Sequence, residues 1–169
     1  LLAGPFKPIE PKLAARMVPL EIPFDKPPPM EELRQTAKKS YPAEHLLKHL
    51  ERGEKPPAKK SYLVATWVFG NDLAMVFLSD EVVVDYALRM KRELDGSRLW
   101  INAYSNDVST YVISKRLLQE GGYEVNNSLS AKVSYGHPER VQPAMEDRIL
   151  GHVRGLLPES FRSPSKSPS

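Results

Sequence analysis

The amino-acid sequence predicts an α/β fold in which a mixed sheet is connected by crossover helices. Two apolar, β-branched runs at 61–69 and 73–78 flank a Gly-Asn-Asp turn and therefore predict an antiparallel hairpin. A segment with helical periodicity follows at 81–94, and another strand-like run occupies 98–104. A strand–helix–strand unit of this length places its two strands parallel, with a right-handed connection.

The composition is that of a chain with a hydrophobic core and no cysteine chemistry. Hydrophobic residues make up 41% of the 169 residues, and the lack of cysteine excludes disulfides and thiolate zinc sites. The net charge of +3 results from 24 basic and 21 acidic residues that are spread along the chain. Because nucleic-acid binding needs clustered Lys and Arg, no nucleic-acid partner is expected.

Proline clusters and a Ser/Pro-rich ending divide the chain into segments. The prolines of 17–24 restrict this run to an edge strand, because proline cannot donate to a strand ladder. Two short helices are expected at 31–39 and 43–52, separated at Pro42. The predicted segments are a Pro-rich arm with an edge strand at 1–29, a helical insertion at 30–57, an α/β core at 58–157 and a disordered Ser/Pro tail at 158–169.

The helix predicted at 81–94 begins directly after a buried strand. Ser79 or Asp80 is its expected N-cap, and Glu81 in its first turn would complement the helix dipole. One apolar stripe at helical spacing indicates that a single side of the helix is buried. The stripe consists of Val83, Ala87, Met90 and Leu94.

Polar side chains follow the carboxyl ends of both strands of the crossover unit. Glu81 follows the first strand, and Asn106, Asp107 and Tyr111 follow the second. Parallel strands bring their carboxyl ends to one edge of a sheet, where ligands usually bind. Taken singly, the acids are typical of a helix first turn and of turns. Their convergence instead favours a zinc site with carboxylate and phenol ligands, to which histidines would also contribute.

The four histidines do not form a recognisable zinc motif. His45 and His49 are spaced i, i+4, but Leu46 stands where the metalloprotease motif has glutamate, so a polar helix face is the preferred interpretation. His137 precedes a proline in a predicted turn, and His152 is expected on the surface of the last helix. The sequence also contains neither a nucleophile elbow nor a phosphate-binding loop.

Three blocks of the sequence resemble the neutral/alkaline ceramidase family. Phe-Leu-Ser-Asp-Glu81 is similar to a family strand that ends in Pro-Gly-Glu or Gly-Gly-Glu and runs into a helix. The second block has Asn106 followed five residues later by Tyr111, and the third has the pair Tyr123-Glu124 twelve residues beyond Tyr111. The similarity is best over residues 61–155 and identifies the chain as the C-terminal portion of a larger catalytic domain.

The resemblance implies a zinc ion with Glu81 and Tyr111 among its ligands. Two further zinc ligands of the family are histidines, and its nucleophile is a serine; all three lie earlier in the family's catalytic domain. No catalytic residue is therefore identified in this chain, which would depend on the missing N-terminal part of the domain. The resemblance further suggests that Asn106 and Tyr123 contact the substrate.

The expected function is hydrolysis of the N-acyl amide of ceramide or a related lipid amide to a fatty acid and an amine. The resemblance implies a secreted or periplasmic enzyme with peripheral contact to a membrane, and the chain alone is expected to be inactive. The alternative is a catalytically incomplete, ceramidase-like module that binds a partner through its helical arm, the insertion predicted at 30–57.

Overall fold

The computed structural model describes residues 6–134 and 137–164, with the side chains of 129–134 left aside. Within these residues the strands are β1 Leu13–Pro23, β2 Lys59–Phe69, β3 Leu73–Leu78, β4 Glu81–Val82, β5 Leu99–Asn102 and β6 Tyr111–Val112. The helices are α1 Met30–Ala37, α2 Tyr41–Glu51, α3 Val84–Glu93, α4 Lys115–Glu120, α5 Tyr123–Ser134 and α6 Met145–Leu156, followed by a 3-10 helix at Glu159–Phe161.

The main sheet has four strands in the order β1-β2-β3-β5. β2 pairs antiparallel with both β1 and β3, and β3 pairs parallel with β5 after the α3 crossover. β1, which contains Pro19 and Pro23, lies at the edge as its prolines require. The α/β fold with a mixed sheet is therefore confirmed, together with the predicted hairpin and the predicted parallel crossover.

One face of the sheet forms the hydrophobic core. Alternate residues of the strands point to this face, as the two-residue period of a strand requires, and α3 and α6 pack against them. Met90 of α3 and Ile149 of α6 are fully buried there. On the opposite face Trp67 and Trp100 are 45% and 58% exposed. This face lacks a covering layer among the described residues.

The helix predicted to begin at Glu81 begins instead at Val84. Glu81 and Val82 form the short strand β4, and Val83 is the N-cap, so the assignment of Ser79 or Asp80 as N-cap was wrong. Three consecutive valines at 82–84 have branched side chains that favour extended backbone. The backbone amides of this stretch donate to carbonyls of β6 and of the residue before it. The helix therefore begins three residues later than predicted.

The helices α1 and α2 pack mainly against each other. Leu33, Ala43 and Leu46 form a small hydrophobic cluster that is separate from the main core. Pro42 lies in the first turn of α2 rather than between two helices, contrary to the prediction. Proline is tolerated there because the amide of the first turn has no partner within the helix.

The described end of the chain packs into the core. The prediction of a disordered tail from residue 158 was wrong for residues 158–164, because the ring of Phe161 is fully buried. The guanidinium of Arg98 lies 4.4 Å from the centre of this ring. Residues 165–169 lie outside the described residues. No helix in the described part of the chain is long and apolar enough to cross a membrane.

Candidate metal centre

The two predicted zinc ligands are partners in a short parallel strand pair. Glu81 of β4 is aligned with Tyr111 of β6, and Val82 is aligned with Val112. The amide of Glu81 donates to the carbonyl of Thr110 at 3.1 Å, which fixes the register beside the site. Residues in register on neighbouring strands share a face, so Glu81 and Tyr111 present their side chains together.

The Glu81 carboxylate interacts with two phenols. Burial and then hydrogen bonding with Glu81 raise the pKa of Tyr111 to about 12. Hydrogen bonding with Glu81 is the main reason why the pKa of Tyr104 is also raised. The ring of Tyr123 packs edge-on against Tyr111, with 6.3 Å between the ring centres. Both phenols therefore remain protonated at neutral pH beside the Glu81 side chain.

No cation of the protein neutralises Glu81 among the described residues. Its neighbours differ in this respect, since Asp80 pairs with Lys60 and Asp85 pairs with Arg116. A carboxylate that has phenols but no ammonium or guanidinium beside it retains its attraction for an external cation. A carboxylate and a phenol also match the hard oxygen donors that zinc accepts.

Backbone strain is concentrated next to this carboxylate. Asp80, Tyr104 and Asn106 have φ angles of 63°, 55° and 70°, and they are the non-glycine residues with positive φ in the described chain. All three lie where the loop after β5 meets the end of β3: the amide of Tyr104 donates to the carbonyl of Asp80 at 2.9 Å. Such strained residues cluster at functional sites, where surrounding contacts maintain them.

A buried ion pair holds this loop in place. Nζ of Lys60 lies 2.6 Å from Oδ2 of Asp80 and 2.9 Å from Oδ2 of Asp107, and it also donates to the hydroxyl of Ser109. The side chain of Lys60 is 9% exposed and that of Asp80 is fully buried. The other oxygen of Asp80 accepts the backbone amide of Ser109 at 2.8 Å. The loop after β5 is thereby attached to the start of β2 and the end of β3.

The charge of Lys60 also affects Asp107. Burial alone would raise the pKa of Asp107. The Lys60 ammonium and the Ser109 hydroxyl nevertheless hold this pKa below its usual range. Sequence reasoning missed Lys60 and Ser109 because each lies far along the chain from its partner and belongs to no linear motif. The available signal is the hairpin register, because β2 continues past its last partner in β3, Leu78, and so brings its first residues towards Asp80.

The other predicted site residues lie at different distances from this pair. Tyr123 is in contact with Tyr111, whereas Asp107 belongs to the Lys60 cluster. Asn106 lines a separate groove of about 350 Å³ on the open face of the sheet, together with Trp67. Glu81 and Tyr111 are thus brought together directly, and Asn106 and Asp107 flank them through the same loop.

The histidines lie elsewhere in the fold. His45, His49 and His137 line a cavity beside α2, and His152 is on α6 with its Nδ1 2.8 Å from the carbonyl of Arg148. In the described residues no group of three or more His, Cys, Asp or Glu side chains is arranged to hold a metal ion. The described chain therefore supplies a carboxylate and a phenol, which fit the oxygen half of a mixed zinc site and not the imidazole half.

No family model, curated protein or solved structure matches this chain. The fold class is that of an α/β protein with a mixed sheet.

Proposed function

We propose that this chain forms the part of a zinc-dependent lipid amidase that supplies two oxygen ligands, Glu81 and Tyr111. The observation that supports this most strongly is the alignment of these two residues across a parallel strand pair, at the carboxyl ends of the sheet strands. The sequence blocks that contain them resemble those of neutral ceramidases. The substrate would be ceramide or a related lipid amide, cleaved at its N-acyl bond.

Glu81 and Tyr111 would hold the metal ion and offset its positive charge. Glu81 has no cationic partner among the described residues, so its negative charge is available to an incoming ion. Tyr111 would lose its phenolic proton when the metal binds. The Glu81 carboxylate alone favours the protonated phenol, whereas a metal cation favours the phenolate. A zinc ion held there would act as a Lewis acid and polarise the amide carbonyl.

The neighbouring tyrosines would form the wall of the substrate site. Tyr104 and Tyr123 are 55% and 68% exposed, although both lie next to the buried end of the sheet. Their rings offer apolar contact and their hydroxyls offer hydrogen bonds, a combination suited to the polar head of a lipid amide. Asn106, on the same loop as Tyr104, lines the separate groove beside Trp67 and would contact a substrate that extends onto that face.

The proposal requires residues outside this chain. Zinc needs about four ligands, and the described residues around Glu81 provide a carboxylate and phenols only. The remaining ligands and the nucleophile would come from an N-terminal part of the same catalytic domain. The chain by itself should therefore not hydrolyse lipid amides.

A second candidate function is a non-catalytic binding module. It is favoured by a cavity of about 790 Å³ between the helical arm and the core, lined by residues such as Pro28, Leu33 and Arg140. In this case the arm would contact a partner, and the protein would neither retain zinc at Glu81 nor cleave amides.

Metal analysis and an N-acyl amidase assay on the intact protein separate the two candidates. We expect the wild-type protein to contain zinc and to release fatty acid, and Glu81→Gln to lose both. Glu32→Gln is the matched control, because Glu32 is an exposed glutamate on α1, remote from β4. Equal zinc content and turnover in the Glu81→Gln and wild-type proteins would refute the ligand role.

A further inference from the structure

Two histidines, a residue type that commonly ligates zinc, lie together on α2, away from Glu81. His45 and His49 are spaced i, i+4 on α2, and their rings are 4.5 Å apart between centres, at 45° to each other. Both side chains are partly exposed. Two imidazoles at this spacing on one helix face can ligate a single zinc ion.

The turn that follows α2 brings the Glu54 carboxylate into contact with the imidazole of His49. Gly53 has a φ of 75°, a left-handed conformation that suits glycine, and its amide donates to the carbonyl of Leu50 at 3.0 Å. The next amide, of Glu54, donates to the carbonyl of His49 at 3.1 Å. This turn places the side chain of Glu54 against Nδ1 of His49.

The Glu54 carboxylate is itself held in place. Nε of Arg52 donates to its other oxygen at 2.6 Å. A carboxylate acceptor beside Nδ1 favours the tautomer that carries its proton there, which leaves Nε2 for a metal ion.

We propose that His45 and His49 form a binding site for a divalent transition-metal ion of the zinc type, with the Glu54 carboxylate orienting the His49 ring through its contact with Nδ1. Histidines that bind metals usually donate their other ring N–H to a carboxylate, and the His49–Glu54 contact reproduces this arrangement before any metal is bound. The site is independent of the proposed function at Glu81.

The two histidines border a cavity that is large enough for a metal ion and water. His45, His49 and Glu54 line a cavity of about 240 Å³, and His137 is also among the residues that line it. In the described residues these groups are not already arranged as a set of three ligands. The two imidazoles would therefore hold the ion, with water completing the coordination within the cavity.

Calorimetric titration of this chain with Zn²⁺ tests the proposal. The titration is done in the Glu81→Gln background, so that the candidate site at β4 cannot contribute. We expect one Zn²⁺ per chain to bind, and the double variant His45→Ala/His49→Ala to lose this binding. Alanine is a good helix former, and circular dichroism would check that α2 is retained.

Two further variants separate this site from adventitious binding by histidine. Glu54→Gln keeps the shape of the side chain but removes its charge, and it should weaken Zn²⁺ binding roughly 10- to 100-fold. His152→Ala, at another histidine on a helix surface, should leave the affinity unchanged. Unchanged affinity in the double variant, or no Zn²⁺ binding by the parent chain, would overturn the proposal. Either result would leave the Glu81 proposal standing, because that site is already removed.

Discussion

Glu81 and Tyr111 are register partners of the parallel β4–β6 pair, and the carboxylate of Glu81 helps to raise the pKa of the Tyr111 phenol to about 12. These residues are 30 positions apart in the sequence. Two interactions bring them together: the backbone hydrogen bonds between β4 and β6, and the side-chain ion pairs that attach the loop before β6 to β2.

The first prediction concerns the titration of Tyr111. Glu81→Gln should lower the pKa of Tyr111 towards the ordinary value of about 10, because the charged acceptor is removed; burial would keep part of the elevation. Ultraviolet titration of the phenolates measures this change, and Tyr111→Phe identifies the step that belongs to Tyr111. An unchanged titration curve in Glu81→Gln would contradict the contact.

The same contact predicts a loss of stability at alkaline pH. The folded-state pKa of Tyr111 is raised, so from about pH 10 to about pH 12 the folded protein retains a proton that the unfolded chain releases. The free energy of unfolding should therefore fall as the pH rises through this range, and it should fall less in Tyr111→Phe. Urea unfolding at several pH values tests this, and an equal decline in both proteins would show that Tyr111 is not responsible.

Lys60 should be far more important for stability than the adjacent lysine. Lys60→Met leaves the fully buried Asp80 carboxylate without its cation and should cost about 3–5 kcal/mol of the free energy of unfolding. Lys59→Met is the matched control: its ion pair with Glu21 is exposed and should contribute about 0–1 kcal/mol. Chemical denaturation measures both, and similar losses would exclude a buried ion pair.

Asn106 tests the strain in the loop beside the site. Its φ of 70° is left-handed, and a side chain with a Cβ and no local hydrogen bonding pays about 1–2 kcal/mol for this conformation. Asn106→Ala should therefore destabilise the protein by about 1 kcal/mol, whereas Asn106→Gly should not. If thermal or urea unfolding shows alanine to be tolerated as well as glycine, the loop does not adopt this conformation in solution.

Phe161 tests whether the described end of the chain belongs to the core. Its ring is fully buried, so Phe161→Ala should cost about 3–5 kcal/mol of the free energy of unfolding. Ser163→Ala, two residues later and exposed, is the control. A loss below about 1 kcal/mol for Phe161→Ala would restore the disordered tail that the composition suggested.

The sequence predicted those parts of the fold that depend on local periodicity. The hairpin of β2 and β3 and the crossover to β5 were correct because alternating or continuous apolar runs, a turn and a helical stripe each leave a local pattern. The predicted start of α3 was wrong because β4 forms through backbone pairing with β6, which lies nearly 30 residues later in the sequence.

Non-local contacts explain what the sequence could not show of the site. Lys60 can be buried because it forms ion pairs with Asp80 and Asp107. The sequence around a single lysine does not predict this pairing. Phe161 stands in a Ser/Pro-rich context typical of disorder, and only its pocket beneath Arg98 distinguishes it. The convergence of Glu81 and Tyr111, in contrast, followed from the direction of two parallel strands.

The most direct test of the central claim is the ultraviolet difference spectrum on addition of Zn²⁺ at neutral pH to the intact protein, first freed of metal with a chelator and carrying His45→Ala/His49→Ala. Coordination by Tyr111 converts its phenol to a phenolate, so we predict a phenolate difference spectrum that is absent from Tyr111→Phe and from Glu81→Gln. If Zn²⁺ binds tightly and produces no phenolate signal, or the same signal in Tyr111→Phe, then Tyr111 and Glu81 do not share a metal ion.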